Sequence, residues 1–203
     1  MNNEPGQTLE NILKSNQAFR ERASVKDLPV QRAAEKVAIV TCIDPRINLE
    51  ALGISGFSPN GAGNSNVRVI RTIGGIAEER SLIIGLFLAG FREIVVLMHT
   101  DCGCSLAHSK VDTIVSNMKR MLSDQQLEAL QLQWGDLSDT QMRSLLRTFE
   151  DPREAVKKEV QRIGALPYFP QGDATVHGLL YHVETAQVEL VVDGYQSVGT
   201  GLI

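Results

Sequence analysis

The chain has 203 residues, 43% of them hydrophobic and 22% charged, which suits one globular domain with a buried core. Its 20 Lys and Arg against 24 Asp and Glu give a formal charge of −4, so the cationic excess typical of nucleic-acid binding is missing. The sequence contains no apolar run of membrane-spanning length, and its polar first ten residues do not resemble a signal peptide. The 3 cysteines are too few for a disulfide framework. We therefore expect a cytoplasmic protein with no nucleic-acid partner and no membrane span.

Short β-branched segments predict three buried strands in the first half of the chain, Lys36–Cys42, Val67–Arg71 and Glu93–His99. Between the second and third of these, Glu78–Gly90 has acidic residues in its first turn and a terminal glycine, which predicts a helix. Strand, helix and strand in this order form a βαβ unit, so we expect a parallel sheet with a right-handed crossover. A short helix is expected over Ile47–Leu52.

The composition changes after the third strand. Residues 111–147 are rich in Gln, Leu, Met and Ser, and they predict two or three amphipathic helices interrupted near Gly135. A stronger helix is predicted to follow, capped by Asp151 and ending at Gly164. Residues 36–203 are thus interpreted as one α/β domain with a helical insertion at about 105–150.

Two further segments have open interpretations. Val176–Glu184 and Val188–Val192 predict two final strands, but the turn between them lacks glycine, which leaves a hairpin and a separate pair open. The Gly61–Asn66 segment (GAGNSN) is typical of a surface loop, and the alternative is a mobile flap near the ends of the strands.

Chemically reactive side chains follow the first and third predicted strands. The first ends in Cys42-Ile-Asp44-Pro-Arg46 and the third in His99-Thr-Asp-Cys102-Gly. Because ligands collect beyond the carboxyl ends of parallel strands, Cys42, His99 and Cys102 converge if the two strands are neighbours. Two thiolates and one imidazole suit zinc, and three protein ligands leave a fourth position open, as in catalytic sites. Singly, each residue has an ordinary structural explanation, but the combination favours a metal centre.

Asp44 and Arg46 are spaced to form an ion pair beside this centre. A guanidinium that binds a carboxylate through two nitrogens keeps it ionised and oriented. Held in this way, Asp44 could accept a hydrogen bond from a zinc-bound water. Released, it could turn onto the metal and close the site. The spacing is compatible with both states.

The C-x-D-x-R pattern at residues 42–46 and the H-x-x-C-G pattern at residues 99–103 resemble those of the β-class carbonic anhydrases. Residues 69–75 are similar to that family's second-strand motif, usually R-N-A-G, with Thr72 in place of Asn and Ile73 in place of Ala. The resemblance covers most of the chain from about Lys36 onward.

The resemblance implies a mostly parallel sheet of four to five strands flanked by helices. It also implies an N-terminal helical arm, residues 1–35, that embraces a partner subunit in a homodimer or a larger homo-oligomer. Cys42, His99 and Cys102 become the zinc ligands, and Asp44 and Arg46 the catalytic pair.

The implied reaction is the reversible hydration of carbon dioxide to bicarbonate by a metal-bound hydroxide. Relatives of this family hydrolyse CS2 or COS with the same metal set, which is the first alternative. The second is a catalytically silent relative that serves in assembly or in bicarbonate sensing.

Other residues near the motifs have open roles. Cys104 is interpreted as a free thiol, or else as a substitute ligand or redox sensor. His108 is either a solvated side chain or a proton shuttle. Asp101 is expected to accept a main-chain hydrogen bond in its turn, and His177 and His182 are expected to be structural.

Overall fold

The computed structural model describes residues 7–22, 36–52 and 67–197. Within these residues, five strands form one sheet in the order β2-β1-β3-β4-β5. The strands are β1 (Val37–Cys42), β2 (Val67–Thr72), β3 (Glu93–His99), β4 (Thr175–His182) and β5 (Gln187–Val192). The Gly61–Asn66 segment and residues 1–6 and 23–35 of the predicted arm lie outside the described residues.

The strands pair in parallel except at one edge. β1 lies between β2 and β3 and is parallel to both, β3 is parallel to β4, and only β5 runs antiparallel. This arrangement confirms the predicted mostly parallel sheet, and it makes β1 and β3 neighbours. Cys42 is in register with Thr72, and Thr41 with Leu97, so the carboxyl ends of the three strands meet at one edge.

Eight helices are found in the described part of the chain. They are α1 (Gln7–Arg22), α2 (Glu79–Ile84), α3 (Gly103–Ser109), α4 (Val111–Met121), α5 (Asp124–Trp134), α6 (Asp139–Leu146), α7 (Pro152–Gly164) and α8 (Gly194–Ser197). Short 3-10 turns occur at Leu49–Leu52 and Ile73–Gly75, and α2 continues as a π-helical segment over Gly85–Ala89. No helix among these residues is long and apolar enough to cross a membrane.

Side chains on both faces of β1 and β3 are buried, which explains why these strands read as continuous apolar runs. On one face, Val40 and Val96 share a cluster with Leu82 of α2 and Val156 of α7. The opposite cluster contains Ile39 and Leu97, and also the three cysteines. The reactive edge of the sheet is therefore continuous with its hydrophobic core.

Helix boundaries follow the local signals in the sequence. Asp151 Oδ1 accepts hydrogen bonds from the main-chain N–H groups of Arg153 and Glu154, which confirms it as the cap of α7. Three helices fill the predicted insertion, and Gly135, at φ 85°, ends the second of them. β4 and β5 do form a hairpin, and Ala186 adopts the left-handed conformation (φ 58°) in a turn without glycine.

Candidate metal centre

Three potential metal ligands meet at the carboxyl edge of the sheet. Cys42 is the last residue of β1, His99 is the last residue of β3, and Cys102 immediately precedes α3. One ligand atom from each lies within 4.8 Å of the others, and all three residues are buried. The sulfurs of Cys42 and Cys102 are 4.0 Å apart. The pairing of β1 with β3 brings these distant residues together, as the sequence analysis required.

The ring of His99 is oriented for coordination through Nε2. Its Nδ1 lies 2.8 Å from the carbonyl oxygen of Thr100, which accepts the ring proton and leaves the Nε2 lone pair free. Nε2 is buried and has no hydrogen-bond partner in the described structure. An unpartnered imidazole nitrogen beside two sulfurs is the donor set of a divalent zinc-type site, so the residues present fit a metal ion.

The two sulfurs are electrostatically coupled. A hydrogen bond from the Cys102 thiol lowers the pKa of Cys42 to about 4, although burial opposes the shift. The same hydrogen bond, together with burial, raises the pKa of Cys102. Burial lowers the pKa of His99, but the neighbouring Cys42 thiolate more than offsets it, so the net shift is upward. A divalent cation would bind both sulfurs as thiolates and displace their protons.

Two glycines in the segment after β2 pack closely against residues of the site. Gly74 and Gly75 both adopt left-handed conformations, with φ of 73° and 72°. A Cβ atom at Gly74 would lie 3.0 Å from the Cys104 sulfur, so the close approach requires glycine as much as the dihedral angle does. Arg71 donates to the carbonyl oxygen of Cys42 at 2.9 Å. Arg71 lies within residues 69–75, and the sequence pattern alone did not predict this contact.

Asp44 is held by Arg46 beside the ligands. Arg46 Nε donates to Asp44 Oδ1 at 3.0 Å and Nη2 donates to Oδ2 at 2.8 Å, while the main-chain N–H of Arg46 adds a bond of 2.9 Å to Oδ1. These bonds keep the pKa of Asp44 well below its usual range. Asp44 Oδ2 is 3.9 Å from His99 Nε2. Of the two states that the spacing allowed, the structure shows the carboxylate paired with arginine.

Arg46 also contacts Asp101, which the sequence analysis did not foresee. Its Nη1 donates to Asp101 Oδ2 at 2.6 Å, and its Nη2 donates to the Asp101 carbonyl oxygen at 2.8 Å. Asp101 was expected to accept a main-chain hydrogen bond in the turn, and its carboxylate instead binds this side chain. The sequence feature that could have indicated this contact is a carboxylate within the H-x-D-C-G segment, which was expected to lie near Arg46.

The remaining singled-out residues have ordinary contacts. Cys104 is a free, buried thiol whose main-chain N–H lies 3.4 Å from the Cys102 sulfur. His108 Nδ1 lies 3.1 Å from the Thr148 hydroxyl. His177 accepts the N–H of Gly194 at 3.2 Å and ties β4 to α8. Cys104 thus contacts the ligand Cys102 through its main chain, whereas these contacts of His108 and His177 do not involve the three ligands.

Comparison with known proteins gives distant but extended similarity, although no protein-family model matches the chain. β-Carbonic anhydrase 1 of Mycobacterium tuberculosis is 28% identical over 78% of this chain and 83% of its own. A carbon disulfide hydrolase of Acidithiobacillus thiooxidans is also 28% identical, over 74% of each chain. The crystal structure of carbonic anhydrase from Streptococcus mutans is 28% identical, with a TM-score of 0.65 over 95% of this chain and all (100%) of that one.

The sheet order and the helices around it define a β-carbonic-anhydrase-like fold, and its buried Cys–His–Cys triad could hold a metal ion. The chain is a distant homologue of the β-class carbonic anhydrases over most of its length.

Proposed function

We propose that the protein is a zinc-dependent carbonic anhydrase that interconverts carbon dioxide and bicarbonate. The observation that carries the proposal is the pairing of a buried Cys–His–Cys triad with an ionised aspartate, Asp44, held by Arg46 next to it. A purely structural zinc site uses four protein ligands and has no need of an oriented carboxylate. Here, three ligands and one adjacent acceptor favour a catalytic site.

Cys42, His99 and Cys102 would hold the zinc ion, and two thiolates would balance its charge. A zinc ion in such a site lowers the pKa of a water molecule toward neutrality and so supplies a nucleophile. The donated Nδ1 proton of His99 fixes the ring, which keeps its Nε2 aimed at the ion.

Asp44 would orient the nucleophile. Arg46 keeps the pKa of Asp44 low, so its carboxylate acts only as an acceptor. It would accept a hydrogen bond from the attacking oxygen and so direct a lone pair of that oxygen toward the substrate. Asp44 is mostly buried, with 14% of its side chain exposed, which favours a stable orientation. Arg46 acts through Asp44 and need not touch the substrate.

Two apolar side chains follow the neighbouring ends of β1, which carries the ligand Cys42, and β2. Ile43 and Ile73 directly follow the paired residues Cys42 and Thr72, and they are 57% and 69% exposed. The N–H of Ile43 donates to the Thr72 carbonyl at 3.0 Å, which links the two segments. Exposed apolar surface at this position suits a small, uncharged substrate such as carbon dioxide.

Carbon disulfide is the second candidate substrate, because it is also small and apolar and because a carbon disulfide hydrolase is among the relatives. The deciding experiment is stopped-flow measurement on the zinc-loaded protein, with carbon dioxide and carbon disulfide supplied in parallel. The proposal expects carbon dioxide hydration well above the uncatalysed rate. Brisk hydrolysis of carbon disulfide without carbon dioxide hydration would overturn it.

Homo-oligomerisation and a cytoplasmic location belong to the same proposal. α1 exposes Leu9, Ile12 and Leu13 at 58–62% of their surface, which supports contact with another subunit. The cytoplasmic location is supported by the small, odd number of cysteines alone. Light scattering at several protein concentrations tests the oligomeric state, and a monomer throughout would contradict it.

A further inference from the structure

We propose that Asp101 is a positioning residue that anchors Arg46 and thereby keeps Asp44 away from the metal position. The inference rests on the proposed function for its meaning, since it concerns access to the open coordination position. It assigns a role to a residue outside the aspartate–arginine pair. The contact joins the segment after β1 to the segment after β3.

The hydrogen bonds of Arg46 are compatible with one another. Asp44 uses Nε and one proton of Nη2, whereas Asp101 uses Nη1 and the other proton of Nη2. A guanidinium has five N–H donors, so four can be used at once without competition. Asp101 therefore restrains Arg46 further without displacing any of its hydrogen bonds to Asp44.

Asp101 adopts a conformation that presents two acceptors to the same side chain. Its φ is 51°, in the left-handed region that non-glycine residues seldom occupy. In this conformation, both its carboxylate and its main-chain carbonyl reach the guanidinium, at 2.6 and 2.8 Å. Fixing a long arginine side chain costs conformational entropy. Because Asp101 already restrains Arg46, binding of Asp44 to Arg46 does not have to offset this cost by itself.

The position of Asp44 makes this anchor consequential. Asp44 Oδ2 is already 3.9 Å from His99 Nε2, an atom assigned to the metal. A carboxylate that left Arg46 at this distance could occupy the open coordination position. Because Asp101 holds Arg46 in place, the guanidinium stays oriented toward Asp44. This favours the open state, in which Asp44 is paired with Arg46 and the fourth coordination position is free.

The test measures anion access to the metal instead of turnover. The Co2+-substituted protein is titrated with thiocyanate, and the apparent dissociation constant is read from the visible absorption spectrum. Asp101→Gly removes the carboxylate and suits the left-handed backbone, and Asp101→Asn keeps one oxygen. We expect Asp101→Gly to raise the constant about fivefold, as expected for loss of a largely exposed ion pair, with Asp101→Asn between it and the wild type.

The predicted direction opposes simple electrostatics. Removing a negative charge near the site strengthens anion binding through the field alone, whereas release of Asp44 onto the metal weakens it. Asp112→Asn, which removes an exposed aspartate from α4, is the matched control and leaves the constant unchanged. An unchanged or lower constant in Asp101→Gly would overturn the proposal.

A second variant tests whether the effect passes through Asp44. In Asp44→Ala/Asp101→Gly there is no carboxylate to close the site, so thiocyanate should bind at least as tightly as in the wild type. If weak binding persists in the double variant, Asp101 does not act through Asp44 and the proposal fails. Both titrations read the metal directly, so they stand even where carbon dioxide hydration is absent.

Discussion

Two arginine–carboxylate networks in this molecule use the same groups in opposite arrangements. At the metal centre, Arg46 lies between Asp44 and Asp101 in a partly exposed setting. In α7, the carboxylate of Glu159 lies between Arg147 and Arg162 and is only 3% exposed. The two networks have different roles because they differ in solvent exposure. The buried network stabilises the fold, whereas the partly exposed one orients a side chain beside the metal ligands.

The buried network also reaches the segment that leads into the metal site. Glu159 accepts the N–H of Ala77 at 2.8 Å, and Arg162 donates to the Ala77 carbonyl at 2.9 Å. Ala77 lies two residues after the left-handed glycines that pack against the site, so its hydrogen bonds to α7 hold that segment in place. Substitutions in the buried network should therefore lower the free energy of unfolding, whereas substitutions in the exposed network should lower the rate of the reaction.

The largest effect is expected at the ligands themselves. Cys42→Ala removes one of three metal donors and should lower zinc affinity by more than about 100-fold, beyond the range seen for residues that merely support ligands. Cys104→Ala, in the same buried cluster, is the control and should retain one zinc per chain. Elemental analysis after dialysis against a weak chelator measures both, and stoichiometric zinc in Cys42→Ala would contradict the assignment.

Asp44→Ala is expected to separate metal binding from turnover. Zinc content should stay at one ion per chain because Asp44 is not one of the three donors. Carbon dioxide hydration should fall about 100-fold, the lower range for loss of a positioned hydrogen-bonding group in catalysis. Stopped-flow kinetics and metal analysis on the same preparation decide it. Undiminished hydration would refute the role given to Asp44.

Glu159→Ala should cost stability without removing zinc. It leaves two arginines and the Ala77 N–H without their shared partner, and we expect a loss of about 2 kcal/mol in the free energy of unfolding. Glu154→Ala is the matched control on the same helix, because its ion pair with Lys157 is exposed and should contribute less than about 0.5 kcal/mol. Urea unfolding of the metal-free proteins compares them. Equal stability of the two variants would show that the buried contacts of Glu159 contribute no more than an exposed ion pair does.

The smallest effect concerns pH. Arg46 lowers the pKa of Asp44 in the folded protein, so the stability it contributes is present above the ordinary aspartate pKa of about 3.9 and is lost as the pH falls toward the folded value. The difference in unfolding free energy between the metal-free wild type and Asp44→Asn should therefore shrink between pH 7 and pH 3. If this difference in unfolding free energy instead grew as the pH fell, the Asp44 pKa would be raised in the folded protein, which would contradict its pairing with Arg46.

The sequence predicted elements whose signals are local. The β-branched strands, the Asp151 cap and the end of α5 at Gly135 all appear as expected, because capping and periodicity act over a few residues. The convergence of Cys42 with His99 depended on which strands pair, and the motifs together with the family resemblance made that pairing predictable.

Long-range polar contacts were not predictable in the same way. The bond from Arg46 to Asp101 spans 55 residues and that from Ala77 to Glu159 spans 82, with no periodicity to reveal either. Glu159 in particular resembles one more charged position on an amphipathic helix until the packing of α7 buries it. The fold, the convergence of the three ligand residues and the Asp44–Arg46 pair could thus be predicted, whereas the contacts of Asp101 and Glu159 required the structure.

Zinc-edge X-ray absorption of the purified holoprotein tests the central claim most directly. The account predicts about one zinc per chain, with two sulfurs near 2.3 Å, one imidazole nitrogen near 2.0 Å and one additional light atom in the fourth position. A shell of three or four sulfurs, or a shell with only one, would show that Cys42, His99 and Cys102 do not together form the site.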